Sequence, residues 1–335
     1  MKPFLNLKDS TCTNDFKNIK HLVFAGGGIK GLAFVGALKS IYDKTGIDFS
    51  LIAHKPSTCT GVSIGALLAF LIVIGFSVHE LLEFSNSLVN ESFVTIDPLH
   101  LLKGGLSVDT GEKLKLFLIN ILQKKGFPAT ITLAQLFSLT KVQLETVVTN
   151  LTTASILYLN HELYPDVPVL TAVMASMSLP LIFPPVKGTS GHLWADGGIL
   201  ENYPIRKYTP QKTLGFTFLW KIDGKPDSLL SYIMRLIQLQ QIPSEICSWN
   251  LLPIELKQRS IVIDCGSINM LGSNWDFALT LEIKEALLLI GKKSADEKMK
   301  TWNDEYKEID IDPGSRLPSI STRILPLYLP IQVDK

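Results

Sequence analysis

The stretch HLVFAGGGIKGLAFVGAL, His21 to Leu38, decides the fold class. An apolar run of strand length, His21–Ala25, gives way to glycines and then to a helical pattern through about Lys44. Gly26-x-Gly28-x-x-Gly31 fits a dinucleotide fingerprint, in which backbone N–H groups at a helix N-terminus hold a pyrophosphate. That reading needs an acidic residue at the end of the second strand. Asp48 is the nearest acid, but it precedes FSLIAH and so does not end a strand. The loop is therefore predicted to hold another kind of negative charge.

Working outward, Ser57–Val62 reads as a second strand and Ser63 onward as an apolar helix. Lys141–Asn150 alternates Val142, Leu144, Thr146 and Val148, a period-2 strand signal, with Ser155–Asn160 as its hairpin partner. Further strands are predicted at Leu193–Ala195, Leu214–Leu219 and Ser260–Asp264. Helices are predicted at Ser77–Asn90, Asp109–Lys125, Thr171–Met177, Leu229–Gln240 and Asp276–Lys300. Strands alternating with helices make an α/β protein with a largely parallel sheet. The span 90–126 reads as a cap over that sheet, and the proline-studded end beyond Pro313 as a surface-hugging tail.

The chemistry centres on TCTGVSIGALLAF, where Gly61-x-Ser63-x-Gly65 lies between a strand-like run and a helical one. This is the context in which G-x-S-x-G marks a nucleophile elbow rather than an ordinary tight turn. The helix that follows points its N-terminus at Ser63, which favours developing negative charge. A serine nucleophile needs a base. The last histidine is His192, so a histidine-dependent triad would use His161 or His192 with Asp109 or Asp166. Asp196, in HLWADGGILENYP, is the better candidate, because Asp196-Gly197-Gly198 follows an apolar run and so sits at a strand end. An apolar, dehydrated site would raise its pKa and let it take the Ser63 proton directly. Gly26, Gly27 and Gly28, with Gly31 and the charge of Lys30, would then supply an oxyanion hole.

Bulk properties exclude some classes. The chain has 335 residues, 46% hydrophobic and 19% charged, with net charge +1, so no basic field favours nucleic acid. Cys12, Cys59, Cys247 and Cys265 are scattered, which reads as reduced thiols in a cytosol-like compartment, and no metal-ligand spacing is visible. The amino terminus has no apolar signal region, although signal-independent secretion stays open. The run ALLAFLIVIGF is too short for a bilayer span, which takes about 20 residues.

With these segments in hand, the chain resembles the patatin-like phospholipase family. Gly26-Gly27-Gly28-Ile29-Lys30-Gly31 is similar to its glycine-rich oxyanion loop, Gly61-Val62-Ser63-Ile64-Gly65 to its nucleophile elbow, and Asp196-Gly197-Gly198 to its Asp-Gly-Gly motif. ASMSLPLIFPP, with Asn202 and Pro204, follows in the family's order. The resemblance covers about His21 to Trp220. It implies a three-layer α/β/α sandwich with a mainly parallel central sheet, with residues 21–220 as catalytic domain after a 1–20 extension. Residues 221–335 carry no matching motif; their patterning reads as a mostly helical continuation with a regulatory or docking role open. The resemblance further implies a Ser63–Asp196 dyad, an acyl-enzyme intermediate, no metal or cofactor, and hydrolysis of phospholipid or related lipid esters at a membrane surface. An activating protein partner would be compatible with it.

Two segments keep two readings each: LPLIFPP as lipid-facing rim or buried connection, and the helix toward Lys300 as core packing or docking helix. A catalytically silent lipid- or protein-binding module on the same scaffold is the competing function, ahead of a nucleotide-dependent oxidoreductase.

Overall fold

The computed structural model describes residues 15–89, 94–95, 97–102, 105–219, 225–226, 229–266, 268 and 279–302. The proline-studded tail and the start of the Asp276–Lys300 helix lie outside these residues.

The strands are β1 (His21–Phe24), β2 (Thr58–Gly61), β3 (Gln143–Asn150), β4 (Ser155–Leu159), β5 (Val186–Lys187), β6 (Leu193–Asp196), β7 (Thr213–Phe218) and β8 (Ser260–Ile263). They form one sheet in the order β5-β6-β3-β2-β1-β7-β8, with β4 also on β3. From β3 through β2, β1 and β7 to β8 every pairing is parallel, and β4, β5 and β6 add antiparallel pairs. The mainly parallel sheet with flanking helices expected from the sequence is present.

The helices that matter for the site are α1 (Leu32–Thr45), α2 (Ile64–Val73), α3 (Val78–Ser87), α4 (Glu112–Lys124), α5 (Leu133–Thr140), α6 (Val169–Ser176), α7 (Leu229–Asn250) and α8 (Leu281–Lys300). The apolar run after Ser63 is the buried helix α2, with every residue from Gly65 to Val73 out of solvent. A helix apolar all round belongs in a core, and its ten residues rise about 15 Å, half a bilayer core. No helix among the described residues is long and apolar enough to cross a membrane.

Helices α1 and α8 pack backbone to backbone. A Cβ on Gly36 would overlap the Leu288 carbonyl, and one on Gly291 the Ala33 carbonyl. The helix toward Lys300 is therefore core packing, and β8 extends the sheet beyond β7. The other face of the sheet carries a thinner layer, in which Val23, Ile205, Leu252 and Leu256 are buried together.

Some elements differ from the sequence reading. Helix α5 was not anticipated, although Thr132 and Gln135 form a reciprocal capping box that announces it. Helix α7 runs on past Pro243 to Asn250 instead of stopping at Gln240. Pro243 removes one backbone donor, while Trp249 beyond it packs on the Val23–Ile205 cluster and carries the helix forward. LPLIFPP is a buried connection: Leu179, Ile182 and Phe183 are all in the core. Of the span 90–126, helix α4 contributes Leu114 and Phe117 to the wall of an internal cavity.

Candidate active site

Strand β3 brings the two ends of the site together. Its residues 146–150 pair with β4 on one edge. On the other edge β2 runs parallel to it as far as Gly61, opposite Thr146, and β6 runs antiparallel to it and ends with Asp196 opposite Val148. The strands thus converge head to head, and Ser63 and Asp196 leave them at nearly the same point.

Ser63 turns the chain from β2 into α2 with φ 55° and ψ −124°, a conformation side-chain-bearing residues rarely adopt. Such a position carries strain on the order of 1–3 kcal/mol and persists only where its surroundings enforce it. They do so here. A Cβ on Gly61 would overlap the Gly65 carbonyl, and one on Gly65 would overlap the Phe24 carbonyl, so only glycine fits on either side of the bend. The Ser63 N–H donates to Ser176 Oγ at 3.0 Å, and Ser176 Oγ donates to the Val147 carbonyl at 2.7 Å. Ser176 belongs to the ASMSLP block. Its presence was legible, but its job was not, because the partner lies 113 residues away.

Asp196 is 3% exposed. Its N–H donates to the Ser178 carbonyl at 3.0 Å, and its own carbonyl accepts from Thr149 Oγ1 at 3.0 Å, so its backbone is pinned on both sides. Oδ1 accepts from the Gly198 N–H at 2.8 Å. Gly197 must be glycine because a Cβ would overlap the Val147 carbonyl. Burial pushes the carboxyl up to about 6, and hydrogen bonds from the Ser63 hydroxyl and the Gly198 N–H only partly restrain that rise. Oδ2 has no fully formed hydrogen bond.

The glycine loop runs from β1 into a short 3-10 turn, Gly28–Gly31. A Cβ on Gly27 would overlap the Phe218 ring, Gly28 sits at φ +57°, and a Cβ on Gly31 would overlap Ile64. The Gly26 N–H is already engaged, donating to Asn202 Oδ1 at 3.1 Å. Among the described residues the Gly27 and Gly28 N–H groups have no protein acceptor. The Ile64 N–H opens α2 and likewise has no intrahelical acceptor. Lys30 stands on the turn, and its charge reaches the Cys265 thiol.

Gly26, Gly27, Ser63, Asp196, Gly198 and Asn202 line one recess of about 20 Å³. Helix α7 covers it: Ile237, Gln238 and Gln241 join Leu179 in the lining, and Gln241 Nε2 donates to the Gly198 carbonyl at 2.8 Å. Ser63 also borders a second space, an apolar cavity of about 120 Å³ walled by Leu67, Leu71, Phe84, Leu114, Phe117 and Phe183. The serine hydroxyl thus stands between a carboxylate and an oily chamber.

The remaining candidates are elsewhere. His161 stacks on Phe137 at 3.6 Å, His192 Nδ1 lies 3.0 Å from Asn150 Nδ2, and no histidine lines the recess among the described residues. Asp109 binds the backbone N–H groups of Gly111 and Thr95. Asp48 accepts from Ser50 and from the Val78 N–H, a loop tie rather than a ribose contact. Among the described residues no three His, Cys, Asp or Glu side chains are grouped to hold a metal ion.

The chain is similar to several known proteins. The chain is 30% identical over 297 residues to "Uncharacterized protein R571" of Acanthamoeba polyphaga mimivirus, spanning 84% of this chain and 94% of the relative. It is 28% identical over 193 residues to "Probable lipid hydrolase 463L" of Invertebrate iridescent virus 6, spanning 56% of this chain and 63% of the relative. The fold resembles that of VipD from Legionella pneumophila, with TM-score 0.53, 16% identity and coverage of 85% of this chain and 67% of that one. The family model described as patatin-like phospholipase matches residues 22–207, which hold the glycine loop, the serine elbow and the aspartate turn, and the chain belongs to that family.

Proposed function

We propose that this protein is a lipid acyl hydrolase of phospholipase A or lysophospholipase type, with Ser63 as nucleophile and Asp196 as its base. The carrying observation is the position of Ser63 between the buried Asp196 carboxylate and the apolar cavity. An acyl chain has the chemistry of that cavity. The ester carbonyl at its end would then lie at the serine.

In this scheme Ser63 Oγ attacks the carbonyl carbon while its proton passes to Asp196. The oxyanion is received by the Gly27 and Gly28 N–H groups, with Gly26 and Gly31 shaping the loop and Lys30 adding positive potential. A single such donor contributes about 3–4 kcal/mol of transition-state stabilisation. Collapse expels the alcohol, which takes the proton from Asp196, and leaves an acyl-enzyme. Asp196 next accepts a proton from water, the hydroxide attacks the acyl carbon, and the fatty acid departs as Ser63 regains its proton. No metal or cofactor enters the scheme.

Access to lipid at a membrane surface is supported by α7. Tyr232, Leu236 and Leu239, at i, i+4 and i+7, form an exposed apolar stripe on the helix that covers the recess. With net charge +1, such apolar contact rather than charge would hold the protein at a bilayer.

The test is hydrolysis of phosphatidylcholine vesicles, lysophosphatidylcholine and a soluble fluorogenic ester by wild type, Ser63→Ala and Asp196→Asn. Loss of turnover in both variants is expected. A fully active Asp196→Asn would reject the dyad, and vesicle binding with no turnover on any ester would favour a silent binding module.

A further inference from the structure

Asn202 stands six positions after Asp196 and is 5% exposed. Its side chain closes a 176-residue gap to hold both backbone groups of Gly26: the Gly26 N–H donates to Oδ1 at 3.1 Å, and Nδ2 donates to the Gly26 carbonyl at 3.3 Å. Only one orientation of the amide satisfies both bonds. The same amide lies beside the aspartate turn in the recess. A Cβ on Gly198 would meet Asn202 Oδ1 at 2.9 Å and Asp196 Oδ1 at 3.1 Å.

We propose that Asn202 is the positioning residue of the oxyanion loop, a role that rests on the Ser63–Asp196 chemistry above. By occupying both Gly26 groups it fixes the start of the glycine turn and leaves the Gly27 and Gly28 N–H groups for the substrate oxyanion. It stands six positions after the base on the same segment, so the stretch of chain that carries Asp196 is also the one that fixes the donor turn. The residue type follows from the two bonds. Leucine would match the volume but take the side-chain partner from the Gly26 carbonyl and leave the N–H only its 3.4 Å bond to the main-chain carbonyl of residue 202. Aspartate would accept from the N–H, repel the Gly26 carbonyl, and set a second negative charge beside Asp196.

The experiment compares wild type, Ser63→Ala, Asn202→Ala and Asn202→Asp in two measurements. In steady-state hydrolysis of a soluble ester, Asn202→Ala is expected to lower kcat about 100-fold with KM within about threefold, because misplaced donors are felt in the transition state. Asn202→Asp, nearly isosteric, sets a carboxylate beside Asp196 and is expected to move the acid limb of the pH profile upward, while the kcat loss without a KM change in Asn202→Ala separates positioning from a purely structural role. In hydrogen exchange, the peptide spanning residues 21–31 should exchange at least tenfold faster in Asn202→Ala, with β7 unchanged. Wild-type kcat in Asn202→Ala, a loss confined to KM, or unaltered exchange in that peptide would overturn the proposal. Turnover that survives Ser63→Ala would reject Ser63 as nucleophile instead, and the exchange result would then decide the clamp alone.

Discussion

The Ser63 N–H is held at 3.0 Å by the hydroxyl of Ser176, a fully buried residue at the end of α6. That hydroxyl is itself anchored on β3, so a strained serine is braced by a neighbouring helix and strand at once.

Ser176→Ala should therefore cost about 1–3 kcal/mol in stability by leaving a buried N–H unpaired. We expect kcat on a soluble ester to fall about tenfold with KM little changed. Urea titration and steady-state kinetics check the two halves. Full activity would show that the elbow holds its shape unaided.

In the proposed dyad the buried Asp196 must be ionised to act as base, and its carboxyl is raised to about 6. The acid limb of kcat/KM should accordingly lie near pH 6, falling about tenfold per pH unit below it. A limb near pH 4 would mean that burial does not tune this carboxylate. Stopped-time assays across pH 4–8 with a pH-insensitive fluorogenic ester separate the cases.

The same shift has a cost for the fold. The native carboxyl keeps its proton up to about pH 6, whereas the unfolded chain releases it near 3.8. Stability is thus unaffected below pH 3.8 and declines as pH rises through 6, by up to about 3 kcal/mol. Asp196→Asn removes the charge and should raise Tm by several degrees at pH 8, with the gain vanishing near pH 4. Calorimetry at the two pH values would reveal a gain of opposite or absent pH dependence.

Gly65→Ala sets a methyl group against the Phe24 carbonyl, at the end of a central strand. We expect a loss of about 3 kcal/mol and no turnover, since the clash bears on the bend that displays Ser63. Native Tm with native activity would disprove the fit read at this position.

Helix α2 runs from Ser63 along the cavity, with Leu67 and Leu71 on successive turns of its wall. They lie about 6 and 12 Å along the axis from the serine. Leu67→Trp should shift the preferred acyl chain to short esters, and Leu71→Trp to intermediate ones. Competition among esters of graded length measures this. Identical profiles would place the acyl chain elsewhere.

Much of this was legible in the chain itself. The glycine loop, the serine elbow and the Asp-Gly-Gly turn carry signals that are local: small residues between a strand and a helix, at fixed spacing. The capping box of α5, Thr132 with Gln135, is equally local. The run of α7 past Pro243 was illegible, because packing of Trp249 overrides a local breaker.

What the sequence by itself determined is the inventory: which residues turn the chain, which strands are buried, and which side chains are chemically able to react. Tertiary structure alone decided their company. That Ser176 braces Ser63, that Asn202 takes the Gly26 N–H, and that α7 lies over the recess depend on contacts between residues far apart in the chain. Such contacts follow from how β2 and β6 meet along β3, and pairing between strands that are dozens of residues apart leaves no periodicity to read.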